Sequence, residues 1–248
     1  MRLYLPNGKI YVSERKVYHV PASAKNTSNI LAEGLIAGAS PERGQDLQIA
    51  DIMFDRVAEK LGIKFRRTGI FAWPSRERAQ HQIDIGLKNF GERPILELTI
   101  DPNDAIVAHQ DFMSLAYTSI WSAITKSGMQ YFSSGKSPHR LDMVSKLSGE
   151  NLLSVLEFVE NDPYLNILRR ELTPILGLVS NIAELYWKTA VPLSDYDEES
   201  QRKLDALVLE IFSRMPKEFK IIGINPLNHE VVIALERIPI EKIKLLED

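Results

Sequence analysis

The chain has 248 residues, no cysteine, a net charge of −3 and a pI near 6.0. The missing thiols exclude disulfides, thiolate metal sites and cysteine nucleophiles, and the weak negative charge excludes an overall positive field drawing the chain to nucleic acid or anionic lipid. Hydrophobic content of 44% and charged content of 25% fit a globular chain able to bury a core. No run approaches the roughly 20 apolar residues of a membrane helix, and the N-terminus alternates instead of forming a signal-peptide core, which predicts a soluble, cytoplasmic protein without a membrane partner.

Residues 2–12 predict a β-hairpin, because Asn7-Gly8 supplies the two positive-φ positions of a tight turn between β-rich flanks. A strand over 17–20 follows, with β-formers Val17, Tyr18 and Val20 and a stop at Pro21, then a short helix near 26–33 closed by Gly34. Leu47, Ile49, Ala50, Met53, Phe54, Val57 and Leu61 recur at helical spacing, so 45–61 predicts an amphipathic helix ended by Gly62. Gly69-Ile70-Phe71-Ala72-Trp73 is a short apolar strand stopped by Pro74-Ser75, before a helical pattern from Arg76 to Ile85. Residues 94–100 alternate clearly as a strand, Asp101-Pro102-Asn103-Asp104 turns, and 105–108 predicts another short strand.

From Ser114 to about Thr189 the period becomes helical, with one helix on Leu152, Val155, Leu156 and Val159, another on Leu165 to Leu172 and a third over 175–187. An acidic loop at 195–200 caps a helix running to Met215. Strands are predicted at 219–224, 230–235 and 238–245. The chain therefore divides into a first sheet-forming half over 1–112, a helical insertion over 113–215 and closing strands over 216–248.

Two stretches carry a resemblance. Val17-Tyr18-His19-Val20-Pro21, followed by Asn29-Ile30-Leu31-Ala32-Glu33-Gly34-Leu35, resembles the opening of the ADP-ribosyltransferase superfamily, whose DarT-like and RNA 2'-phosphotransferase branches begin similarly. The tail from Asn228 to Ile243 is similar to the superfamily's late strand, where a catalytic glutamate is followed by an I-P-x-x-x-I run, and Glu230 stands at that position. The resemblance implies an α+β fold, an ADP-ribosyltransferase-like split antiparallel sheet with a helical insertion, and NAD as the bound cofactor. It implies Glu230 as the catalytic carboxylate, stabilising an oxocarbenium-like ribose or activating the acceptor, and His19 as the group holding the ribose near nicotinamide. Tyr18, Gly34, Trp73 and Ser75 would line the cleft, and the acceptor would be a nucleic acid or a protein. The middle serine-threonine-serine motif is missing and Asn228 stands where a paired glutamate would be, which argues against the arginine-modifying branch and leaves room for a catalytically inactive binding or regulatory module on the same fold. A winged-helix half and the arginine set of the RNA 2'-phosphotransferases are not identifiable.

Other candidates are bland. Lys64, Arg66, Arg67, Arg76 and Arg78 cluster in sequence and suit a pyrophosphate, a nucleic-acid backbone or a solvated surface. Ser134-Gly135-Lys136-Ser137 fails as a phosphate loop because Gln130 replaces the required glycine. His81, His109 and His139 have no partner at metal-ligand spacing, so the sequence predicts no metal site.

Overall fold

The computed structural model describes residues 3–4, 10–11, 13–38, 44–86, 93–158, 161–214 and 228–246. Strands β1 (Leu3–Tyr4) and β2 (Ile10–Tyr11) pair antiparallel, and the turn expected at Asn7-Gly8 lies outside the described residues. Strand β3 (Arg15–His19) leads into α1 (Ala24–Glu33), whose first turn is capped by Ser23 Oγ accepting from the Asn26 N–H at 3.2 Å. Gly34 ends that helix at φ +88°, and a Cβ there would stand 2.7 Å from the Ile238 carbonyl oxygen, so both the backbone twist and the close approach require glycine. Strand β4 (Leu35–Ile36) and helix α2 (Gln45–Lys60) follow.

The next segments form β5 (Ile70–Ala72), α3 (Arg76–Gly86), β6 (Ile95–Ile100) and β7 (Ala105–His109). The helical stretch comprises α4 (Asp111–Ser133), α5 (His139–Ser145), α6 (Gly149–Phe158) and α7 (Pro163–Thr189). After β8 (Val191–Pro192) and α8 (Glu198–Arg214), the chain closes with β9 (His229–Ile233), β10 (Arg237–Ile238) and β11 (Ile243–Leu246). The strand expected at 219–224 lies outside the described residues. Two other expectations are corrected. The second and third helices of the insertion are one, because α7 runs through Pro174, whose single lost helical hydrogen bond is outweighed by burial of Leu172 and Val179 on either side. The tail is not one strand over 238–245, since Pro239 removes a ladder donor and a 3-10 turn over Ile240–Lys242 separates β10 from β11.

The fold is α+β with antiparallel sheets. One sheet has the order β11-β6-β3, another the order β5-β9-β7-β8, and β10 pairs with β4. The first two sheets meet through a single bridge between Tyr18 and Trp73, closed by Tyr18 N–H to Trp73 O at 2.9 Å and Trp73 N–H to Tyr18 O at 2.7 Å. Strands β7 and β9 are buried on both faces, and their alternation divides the interior. Ile106, Ala108 and Val232 face a large core built by α2, α4, α6, α7 and α8, while Ala105, Val107, Val231 and Ile233 face a smaller one between the sheets.

Helix α2 belongs to the helical layer. Phe54, Val57 and Ala58 are buried against α4 and α7, and Trp187 Nε1–H donates to the Phe54 carbonyl at 2.8 Å. The core of the helical layer thus contains residues from both sides of position 112. Among the described residues no helix is long and apolar enough to cross a membrane.

Candidate functional site

A cleft of about 690 Å³ opens beside the seam between the two sheets. His19, Gly34 and Trp73 line it together, joined by Asn26 and Asn29 of α1, by Phe71 of β5 and by Arg67 and Arg93. Strand β3 ends at His19, and the His19 Nδ1–H donates to the Phe71 carbonyl at 2.9 Å across the seam. That bond fixes the ring and leaves Nε2 as the acceptor of the neutral imidazole. Burial holds its proton affinity below the ordinary value of 6.5, against the smaller upward pull of the Phe71 carbonyl. The Trp73 Nε1–H is shielded from solvent and makes no hydrogen bond among the described residues.

Arg67 lines the cleft although its side chain is 2% exposed. The turn carrying it is clamped from α2, where Asp55 accepts from the Arg67 N–H and from the Thr68 hydroxyl, both at 2.6 Å. Gly69 closes the turn with its N–H on the Arg66 carbonyl, and a Cβ there would meet that oxygen at 3.0 Å. The Arg67 guanidinium stacks on Phe71 with 4.7 Å from Cζ to the ring centre.

Glu230 lies behind this arginine and is not among the described residues that line the cleft. Its carboxylate is 2.6 Å from Arg67 Nη1 and accepts a hydrogen bond from the Tyr186 hydroxyl at 2.9 Å. Asp51 stands 3.8 Å from Arg67 Nε on the other side. Burial opposes a charge on Arg67, but Glu230 and Asp51, with the hydroxyls of Tyr186 and Tyr117, outweigh it and hold the guanidinium charged. Burial, reinforced by Glu230, pushes the Tyr186 hydroxyl well above its ordinary range, so it remains a donor.

Tyr18 and Ser75 are also away from the described cleft wall. Tyr18 contributes its backbone to the seam, and Ser75 caps α3, its Oγ accepting from the Arg78 N–H at 3.3 Å. The clustered cations of the sequence disperse: Lys64 pairs with Asp104 at 3.6 Å, Arg66 donates to the Ile63 and Asp55 carbonyls, and Arg67 alone of the five lines the cleft. Arg93 stands beside the cleft with Nη1–H on the Pro21 carbonyl at 3.3 Å.

A second polar cluster was invisible in the sequence. His109 ends β7, His229 begins β9, and antiparallel register sets them directly opposite. Asp205 of α8 closes the group, with Oδ1 2.7 Å from His229 Nε2 and 3.9 Å from His109 Nε2. Both imidazoles are fully buried. Burial, followed by the charges of Arg78 and His109, pushes His229 down to about 3, and burial likewise lowers His109. The Tyr196 hydroxyl, pushed up to about 12 chiefly by burial, meets His229 Nδ1 at 2.6 Å.

Comparison with protein-family models, with curated proteins and with solved structures gives no match to this chain.

Proposed function

We propose that the cleft binds NAD and that the protein is ADP-ribosyltransferase-like, moving ADP-ribose to a nucleic-acid or protein acceptor. The observation that carries this reading is His19, fixed by the Phe71 carbonyl at the edge of a cleft where two antiparallel sheets part at a single bridge. A neutral imidazole held this way accepts from a ribose hydroxyl through Nε2. The cleft volume lies within the usual range of ligand sites, roughly 300–1,000 Å³, and its wall offers apolar rings, asparagine amides and the cations Arg67 and Arg93 for a dinucleotide with a charged pyrophosphate. NAD would supply the electrophilic ribose carbon. The residues of this chain hold the nucleotide, exclude water and place a buried carboxylate, Glu230, under the cleft floor.

A second reading is favoured by Glu230 itself. A carboxylate sealed by Arg67 and Tyr186 holds the floor in place and does not touch what lies above it, which suits an inactive binding or regulatory module acting through its helical region. Calorimetric titration with NAD, joined to a measurement of nicotinamide release, separates the readings. Saturable binding weakened at least tenfold by His19→Ala, with nicotinamide release that Glu230→Gln abolishes, supports the transferase. Binding without release supports the inactive module. A folded wild-type protein that takes up no NAD removes the transferase and makes the helical region the place to look for a partner.

A further inference from the structure

We infer that His109, His229 and Asp205 form a site for a divalent transition-metal ion, of the zinc class, independent of what the cleft binds. The ligand atoms of the three side chains lie within 4.8 Å of one another. A tetrahedral zinc ion with bonds of about 2.0–2.2 Å to imidazole and carboxylate sets its ligands roughly 3.3–3.5 Å apart. The observed separations of 2.7 and 3.9 Å from Asp205 Oδ1 to the two Nε2 atoms bracket that spacing, so small side-chain adjustments seat an ion.

The decisive observation is His109 Nε2. It is buried and makes no hydrogen bond among the described residues, although it faces Asp205 across 3.9 Å. An unsatisfied buried polar nitrogen is destabilising, and a metal ion removes that cost by using the nitrogen as a ligand. The surroundings also supply the outer partners that orient metal-bound imidazoles. His109 Nδ1 accepts from the Asp111 backbone N–H at 3.4 Å, and ligation through Nε2 would move the ring proton to Nδ1, where it faces the Asp111 carboxylate, 3.8 Å away and held by the Asn228 side-chain N–H at 2.6 Å. The Tyr196 hydroxyl stands on His229 Nδ1 and serves as donor or acceptor according to the tautomer.

Charge is compatible. Three carboxylates, Asp111, Asp205 and Glu230, face two guanidiniums, Arg78 and Arg67, so the neighbourhood is net negative before an ion enters. Asp205 is 18% exposed at its side chain, so an ion would enter from its side, and a water would complete a tetrahedral set as the fourth ligand. The ion ties α8 to the β7–β9 pair one residue before Glu230.

The test uses untagged full-length protein, dialysed against chelator and titrated calorimetrically with Zn²⁺, with Co²⁺ as a spectroscopic substitute. One equivalent of Zn²⁺ binds, the Co²⁺ form shows the intense visible absorption of a four-coordinate ion, and Zn²⁺ raises the melting temperature. Asp205→Asn and His109→Gln each weaken Zn²⁺ binding more than tenfold, and Asp111→Asn weakens it about 10–100-fold as an outer partner. Asp205 is partly exposed, so its variant remains informative if the buried histidine variant does not fold. The inference is overturned if folded wild-type protein takes up neither ion, or if folded Asp205→Asn binds Zn²⁺ as tightly as wild type.

Discussion

Arg67 and Glu230 are each 2% exposed at the side chain and depend on each other. Removing one partner of a buried ion pair leaves the other charge uncompensated and costs about 3–5 kcal/mol. Urea unfolding of Arg67→Met is expected to show a loss of that size, whereas the double variant Arg67→Met with Glu230→Gln regains a large part of it. Equal stability of the single and double variants would show that the Tyr186 hydroxyl already satisfies Glu230 without Arg67. His19 sets a pH dependence. Its folded-state proton affinity lies below the unfolded value of 6.5, so the unfolded chain binds more protons in acid. The His19 contribution is therefore complete above pH 6.5 and declines as the pH falls toward the folded value. His19→Gln should flatten the stability profile below pH 6.5 and leave it unchanged above; parallel profiles there would contradict this. Gly34→Ala combines a left-handed φ with an approach of 2.7 Å to the Ile238 carbonyl, and a loss of about 1–3 kcal/mol is expected in the same assay.

Helix α7 shows where element-level reasoning succeeds and fails. The periodic run from Leu165 to Leu172 made its presence legible, and the structure starts it at Pro163, where Asp162 accepts from the Tyr164 and Leu165 N–H groups at 3.0 and 2.9 Å. Its continuity was not legible, because Pro174 is a local stop signal while the packing of Leu168, Leu172, Val179, Ile182 and Tyr186 into one core is a tertiary fact. Pro174 is exposed, so Pro174→Ala should stabilise the protein by about 1–3 kcal/mol, read from the urea midpoint. A neutral or destabilising result would mean that the surrounding helix is adapted to the ring. Amphipathic α2, the β3–His19 stretch and the alternating β6 were legible because burial on one face leaves a periodic trace. His109, Asp205 and His229 left none, since they meet only through the β7–β9 register and the docking of α8. The cleft was half legible: His19, Gly34 and Trp73 line it, but Arg67 was hidden among four other cations, and the depth of Glu230 follows from helix α7 covering it with Tyr186.

At the scale of the whole molecule, β7 and β9 are the shared wall of both cores. Every residue of each strand is buried, and the two pair over five positions from Ala105–Ile233 to His109–His229. Their amides should therefore exchange last in native-state hydrogen exchange, and those of the two-residue β10–β4 pair much earlier. Exchange of β9 as fast as β10 would show that the helical layer and the sheets open separately.

The seam between the two sheets has a different character from the ladders on either side. Tyr18 and Trp73 contribute two hydrogen bonds and His19 a third to the Phe71 carbonyl, and around them lies apolar contact among side chains such as Val17, Leu98, Ile70 and Val231. Apolar burial loses strength as water is cooled. The junction is thus tightest in the warm and slackest near freezing, and the cleft beside His19 is bounded by a joint whose grip is set by the thermometer.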